Sequence, residues 1–329
     1  MSDKTSQSGS SSKNAPANAY FSDASGLFHT TKKYEELNVI GTGAYGTVYK
    51  ARDLYNGGQI VAMKKVKVAL TDDGIPLSTL REIALLRQLE TYRHPNIVRL
   101  LDVCHGGPNV TKDQQLVLFL VFEHVEQDLD LYLKKVQMPL SENRIRSMSY
   151  DILSGVDFLH SHRIVHRDLK PHNLLVTAAG RIKLADFGLA KTYDMEMRLT
   201  TVVVTLWYRA PEVLLGLAYN TAVDVWAAGC VLAQLHLGAP LLPGCSDSDQ
   251  LHQVFRLFGR PPRHEWPAEA SVLLDSFPEY PPHHFEDVFP RIHPHALDLI
   301  QRMLLFDPKK RLTALDCLEH PYFTEEPVL

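Results

Sequence analysis

The residues that could do chemistry fall in five short stretches, in one order along the chain. GTGAYGTV, residues 41–48, places Gly41, Gly43 and Gly46 where a backbone without Cβ atoms could approach phosphate closely. The stretch runs into a β-branched pattern from Val48, not into a helix, so a dinucleotide-binding reading fails; taken alone it could equally be a plain glycine hairpin. VAMK, residues 61–64, ends an apolar strand pattern on Lys64, whose ammonium could reach the α- and β-phosphates of a nucleotide. A strand lysine is more often a solvated edge residue, but Glu82, on the helical stretch that follows, could pair with this one and position it. HRDLKPHN, residues 166–173, offers Asp168 to accept a substrate hydroxyl proton, Lys170 to steady a transferring phosphate and Asn173 to bind magnesium. DFG, residues 186–188, offers Asp186 to hold Mg2+ bridging the β- and γ-phosphates of ATP. APE, residues 210–212, closes the segment that Asp186 begins.

This set has little covalent chemistry in it. It supplies positioning, and positive charge at equatorial phosphate oxygens, which is what phosphoryl transfer from ATP requires. One motif is weak support. All five in order, each in a fitting local context, make the protein-kinase signature.

Positioning those groups needs elements. Val39-Ile40, Thr47-Val48-Tyr49 and residues 59–68 are β-branched and aromatic, punctuated by glycine, and read as an antiparallel meander. Residues 76–89 read as a helix, with Leu80, Ile83, Ala84, Leu86 and Leu89 at helical spacing and Ser78 or Thr79 as its cap. Residues 98–103 and 116–122 read as two more strands, joined through the turn at Gly106-Gly107-Pro108. Beyond His124 the pattern turns helical, with Ile145, Met148, Ile152, Val156 and Leu159 on one face. The expectation is an α+β, bilobal chain: residues 1–30 a disordered Ser-rich tail, 34–122 a small antiparallel β-rich N-lobe with one key helix, 123–128 a hinge, 129–323 a larger α-helical C-lobe, and 324–329 a short tail.

The bulk composition excludes other classes. Of 329 residues, 45% are hydrophobic and 22% charged, usual for a folded chain. A formal net charge of −4 gives no field toward nucleic acid or anionic membrane. The apolar run 225–237 is too short to cross a bilayer and reads as a buried helix, and the start of the chain lacks a secretion signal. Cys104, Cys230, Cys245 and Cys317 form no CxxC pair, which argues for a reducing compartment.

From Tyr34 to Phe323 the chain resembles the eukaryotic protein kinases, and DLKP after Arg167 is similar to the Ser/Thr type. PLSTLRE at 76–82 looks like the cyclin-binding helix signature, in the form of the cyclin-dependent kinase 4 and 6 subfamily. LETYRHPNIVRLLDVC (89–104), LVFEHVEQDL (120–129), FLHSHRIVHRDLKP (158–171) and LTTVVVTLWYRAPEVLL (199–215) agree, with scattered departures from the vertebrate pattern that suit an invertebrate member. The resemblance implies an ATP- and Mg2+-dependent kinase acting at G1/S on Ser-Pro or Thr-Pro sites of retinoblastoma-type proteins, in cytoplasm and nucleus. It implies as partners a D-type cyclin and ankyrin-repeat or other cyclin-dependent kinase inhibitors. It places Ile40, Gly41, Gly43, Gly46, Val48, Ala62, Lys64, Phe122, Glu123, Val125 and Asp128 around the nucleotide, with Phe122 as gatekeeper. Val203 and Val204 would take the substrate proline. Thr200 matches an activating phosphothreonine and Tyr45 an inhibitory phosphotyrosine, while Ala44 removes a second brake. Arg81 and Arg167 match two phosphate-binding arginines; the third is Lys191, a departure that lacks the bidentate fork. Arg311 matches the partner of Glu212, and His172 stands where the subfamily has glutamine.

Blander readings stand beside these. Asp224 and Trp226 are expected to anchor a buried helix beneath the catalytic loop. His283, His284, His293 and His295 read as solvated loop residues, not metal ligands. A cyclin-binding scaffold without catalysis, or a Pro-directed kinase independent of cyclin, are the rival functions. Intact Lys64, Glu82, Asp168, Asn173 and Asp186 argue against the first.

Overall fold

Alternating apolar residues draw the first part of the chain into sheet, and a 3–4 periodicity draws the rest into helices. The computed structural model describes residues 29–43, 46–70, 75–105, 115–186, 191–192, 206–281 and 285–325, and its α+β chain divides into two compact units. The first holds the described residues up to Thr91 together with Arg99–His124; the second holds Tyr92–Val98 and the chain from Val125.

The first unit contains strands β1 (His29–Thr30), β2 (Tyr34–Gly43), β3 (Gly46–Asp53), β4 (Ile60–Ala69), β5 (Leu100–His105) and β6 (Gln115–Glu123), with helix α1 (Leu77–Tyr92). The sheet order is β1-β5-β6-β4-β3-β2. All neighbours are antiparallel except β1, which lies parallel to β5 with His29 opposite Cys104. Composition assigned His29 and Thr30 to the tail; here they are an edge strand, and the turn expected at 106–108 lies outside the described residues.

The two faces of this sheet are sorted by parity. Val61, Met63, Phe119 and Val121 pack with Tyr34, Ala51 and Cys104 on one side. Val66, Val68, Leu116, Leu118, Leu120 and Phe122 pack with Ile83 and Leu86 of α1 on the other. Each fully buried aliphatic side chain is worth about 1.5–3 kcal/mol, and a one-residue slip would turn every one of them over. Helix α1 corrects one expectation. The carbonyl of Pro76 accepts the first helical bond from Leu80, 3.2 Å, so Ser78 and Thr79 lie inside the first turn and do not cap it.

The second unit holds α2 (Leu129–Lys135), α3 (Glu142–Ser161), α4 (Pro211–Leu214), α5 (Ala222–Leu237), α6 (Asp247–Phe258), α7 (Phe285–Val288), α8 (Pro294–Met303), α9 (Ala314–Leu318) and α10 (Pro321–Thr324). Short strands β7 (Gln127–Asp128), β8 (Ile164–Val165), β9 (Leu174–Val176), β10 (Ile182–Leu184) and β11 (Lys191–Thr192) lie between them. The stripe from Ile145 to Leu159 is buried, and so is every residue of α5 from Val223 to Leu235. Gly238, with φ +74°, ends α5 by a left-handed turn that a side chain would strain. Segment Tyr92–Val98 joins this unit through backbone bonds from Val98 N–H to Leu184 O, 2.9 Å, and from Leu184 N–H to Asn96 O, 2.8 Å. Glu212 on α4 takes a two-pronged ion pair from Arg311, 2.9 and 3.2 Å, with both side chains nearly sealed from water. His295, expected in a loop, lies in the first turn of α8, and His293 just before it caps that helix, its ring accepting from the His295 N–H at 3.2 Å. Among the described residues no His, Cys, Asp or Glu cluster could hold a metal, and no helix is long and apolar enough to cross a membrane.

Candidate catalytic site

The second unit carries the groups that would move the phosphoryl group. After β8 the chain runs through His166–Lys170 into a single 3-10 turn, Pro171–Asn173. Asp168 sits at the centre. Lys170 Nζ lies 2.8 Å from its Oδ2, and the side-chain amide of Asn173 donates both to that Oδ2, at 2.9 Å, and to the Asp168 carbonyl, at 2.7 Å. With its nitrogen committed to Asp168, the Asn173 amide has its oxygen as the atom that could serve a hard cation. The sequence expectation of three residues in distinct roles is thus one hydrogen-bonded group.

What holds that group is a carboxylate from far along the chain. Asp224, in the first turn of α5, is 1% exposed. Its Oδ2 accepts the His166 N–H at 2.8 Å and faces His160 Nε2 at 2.9 Å, and its Oδ1 accepts the Arg167 N–H at 2.8 Å. Burial alone would push this carboxyl up. The hydrogen bond and charge from His160, with His166 and the Arg167 N–H, outweigh burial and hold it below the usual carboxylate range. His166 completes the frame. Its Nε2 donates to the Ala185 carbonyl, 3.0 Å away, and its Nδ1 accepts the Asp168 N–H at 3.4 Å. Arg167 and Asp186 both take positive φ, +73° and +62°, each costing on the order of 1 kcal/mol; at Arg167 the bond to Asp224 offsets it.

Asp186 follows β10, tied in by Ala185 N–H to the Asn173 carbonyl at 2.9 Å. Asn173 and Asp186 therefore belong to one backbone-linked corner, and both bring hard oxygen donors. That donor set fits a divalent cation of the magnesium type and suits a soft one poorly. Phe187 and Gly188 lie outside the described residues.

The first unit carries the groups that would hold a nucleotide. Strand register does the positioning. Val48 stands opposite Lys64, Ala62 opposite Phe122, and Lys64 opposite Leu120. With the two-residue alternation, Val48, Ala62, Lys64, Leu120 and Phe122 therefore share one face, the face that α1 covers with Ile83 and Leu86. Gly41 pairs with Val48 and Gly43 with Gly46 where β2 meets β3, and Ile40 is exposed beside them. A Cβ on Gly46, at φ +131°, would fall 2.1 Å from the Lys65 carbonyl, so only glycine keeps this hairpin closed. Glu123 turns its carboxylate back to the Arg99 N–H, 2.9 Å, and its own N–H to the Arg99 carbonyl, 3.0 Å. That clasp fixes the end of β6. Val125 begins the second unit, and Asp128 there caps α2 by accepting the Leu131 N–H at 2.7 Å.

Some expected members are placed only in part. Glu82 lies in α1, but its side chain is outside the described residues, so its pairing with Lys64 stays an expectation. Arg81 is an exposed residue of α1, and Lys191 is in β11 with its side chain outside the described residues. Ala44, Tyr45, Thr200, Val203 and Val204 lie outside them altogether, as do His283 and His284, which were expected in a loop. His172 is exposed on the 3-10 turn, Nε2 3.5 Å from Asp130 of α2. Sequence reasoning missed His160 and the relay role of His166. Nothing local marks a histidine as the partner of a carboxylate 64 positions away.

Comparison with known proteins agrees with this geometry. Residues 34–323 match the family described as protein kinase domain. The chain is similar to cyclin-dependent kinase 4 of Xenopus laevis, 49% identical over 296 residues, covering 90% of this chain and 92% of the relative. It is similar to cyclin-dependent kinase 4 of Rattus norvegicus, 48% identical over 300 residues, covering 90% and 98%, and to that of Mus musculus, 48% over 298 residues, covering 89% and 97%.

Proposed function

Because the chain belongs to the protein kinases and, within them, to the cyclin-dependent kinase 4 family, we propose that this serine/threonine kinase is switched on by a D-type cyclin. Its substrates in this reading are retinoblastoma-type proteins, phosphorylated at Ser-Pro and Thr-Pro sites to control G1/S progression. Cytoplasm and nucleus are its working compartments. The observation that carries the catalytic part is the Asp168–Lys170–Asn173 group, hung from Asp224 by two backbone hydrogen bonds.

Each unit has its share of the work. In the first, Gly41, Gly43, Gly46 and Lys64 take the phosphates of ATP, Ile40, Val48, Ala62 and Phe122 line the base, and the Glu123 backbone meets its edge. In the second, Val125 and Asp128 add to the nucleotide contacts. When bound, Mg2+ would be held by Asn173 and Asp186 and would neutralise the phosphate charge. Asp168 accepts the hydroxyl proton of the substrate, and Lys170 keeps positive charge near the transferring phosphate.

Activation in this reading has two parts. Cyclin docks on α1 and brings Glu82 to Lys64. Phosphorylation of Thr200 adds about −1.5 to −2 charge, which Arg81, Arg167 and Lys191 bind. Phosphate on Tyr45 is the brake, Val203 and Val204 select the proline after the phosphoacceptor, and ankyrin-repeat or other cyclin-dependent kinase inhibitors oppose the cyclin. The test is co-purification with a D-type cyclin, followed by magnesium-ATP assays on a retinoblastoma fragment and on a histone peptide. A stable complex that prefers the retinoblastoma fragment is expected. A complex that transfers no phosphate would make the chain a scaffold.

A further inference from the structure

Arg167 leaves the catalytic loop in a constrained direction. Its left-handed backbone, φ +73°, is pinned by the 2.8 Å bond from its N–H to Asp224 Oδ1. From there the guanidinium lies over the ring of Tyr219, its carbon 5.7 Å from the ring centroid. Tyr219 is 7% exposed and sits in the stretch between α4 and α5. Burial pushes its phenol up, the charge of Arg167 draws it only partway back, and the ring therefore meets the cation as a neutral π face.

We infer that Tyr219 is a positioning residue for Arg167, its ring face holding the guanidinium ready for the activating phosphate. This rests on the reading of Arg167 as a phosphothreonine ligand. The physical gain is pre-organisation. A long arginine side chain loses rotamer freedom when it grips a phosphate, and a ring that has already fixed it moves that loss from phosphate binding into folding. The departure at 191 makes this matter more in this chain. A lysine there grips as a point charge without a fork, so the oriented bidentate share of the grip rests on the arginines.

The test uses the full chain bound to a D-type cyclin, with and without phosphate on Thr200. Position 219 carries Tyr, Phe, Leu, and a series of phenylalanines with increasing ring fluorination. Fluorination empties the ring face of negative potential while nearly preserving its shape, so a purely structural role would not follow the series. Two things are measured: the rate gain from Thr200 phosphorylation, and the rate at which a phosphatase removes that phosphate. Tyr219→Phe keeps the gain. Tyr219→Leu and full fluorination lower it roughly three- to tenfold and speed phosphate removal by a similar factor. A gain that stays flat across the fluorinated series, while the unaltered chain keeps its own gain, overturns the role of Tyr219. No gain in the unaltered chain would instead remove the Thr200 reading, and the Tyr219 role with it.

Discussion

The catalytic loop and the sheet that would hold the nucleotide are built by opposite means. In the second unit, Asp168, Lys170 and Asn173 are joined to each other by side-chain bonds of 2.8 to 2.9 Å, and the loop hangs on the buried Asp224. In the first unit, Lys64 is placed by strand register, and its expected partner sits on α1, a helix laid over the sheet by apolar contacts such as Ile83 and Leu86. A hydrogen-bonded cluster has one good geometry. A helix held on a sheet by aliphatic packing is placed by shape and burial, not by a hydrogen bond that sets one side chain's direction. The catalytic groups are fixed to one another by directional bonds, whereas in the proposed reading control falls to α1.

Four substitutions break or sharpen that contrast. The largest effect is expected from Asp168→Asn, which keeps the shape and loses the base. Phosphoryl transfer in the cyclin complex should fall roughly 10²–10⁴-fold with nucleotide affinity nearly unchanged, measured by steady-state rates and by titration with a fluorescent ATP analogue. Asp224→Asn comes next. It leaves one of His160, His166 N–H or Arg167 N–H without its acceptor, and should cost about 3 kcal/mol in chemical unfolding and slow catalysis with it. The sign of its pH dependence is fixed by the lowered carboxyl. Asp224 stabilises the fold fully above the ordinary carboxylate range, and that contribution is lost as pH falls through the depressed folded value. The difference between the two proteins should therefore be large at pH 7 and shrink in strong acid. Denaturation curves from pH 7 to pH 2 that run parallel would contradict it.

Effects through the activating phosphate are smaller in stability but not in control. Thr200→Ala should cut activity on the order of tenfold or more while cyclin affinity holds, since only the charge-assisted contacts of the phosphate are lost. Equal rates in the two proteins would remove phosphorylation from the account. Lys191→Arg should have the smallest effect and the opposite sign, restoring a bidentate grip and slowing removal of the Thr200 phosphate about two- to threefold.

Legibility in the sequence followed the same divide. Asp168, Lys170, Asn173 and Asp186 were readable because their spacing along a few residues already sets their chemistry. The burial of α5 was readable from the apolar run 225–237, though the sealed stretch lies two residues earlier, from Val223 to Leu235; the parity of β4 and β6 was not, because β6 is apolar almost throughout and only the sheet decides which side each residue faces. The start of α1 was misread because any Ser or Thr near a helix start can cap it, whereas here the helix begins earlier, at Leu77, with its first backbone bond running to the Pro76 carbonyl. The edge strand β1 was missed because two residues beside a polar tail carry no periodicity, and pairing with Cys104 and His105 is a tertiary event. His160 was invisible for the same reason: its partner Asp224 is brought near only by the packing of α3 on α5.

One comparison of rates tests most directly whether this kinase depends on both switches. Phosphorylation of a retinoblastoma fragment is measured for the chain alone, for the chain phosphorylated on Thr200, and for the phosphorylated chain with a D-type cyclin. The expected order is near-zero activity for the first two and full activity only for the third, with Asp168→Asn silencing all of them. A phosphorylated chain that works at full rate without cyclin would show that α1 needs no partner to bring Glu82 to Lys64, and would contradict the division between a fixed catalytic loop and a governed nucleotide side.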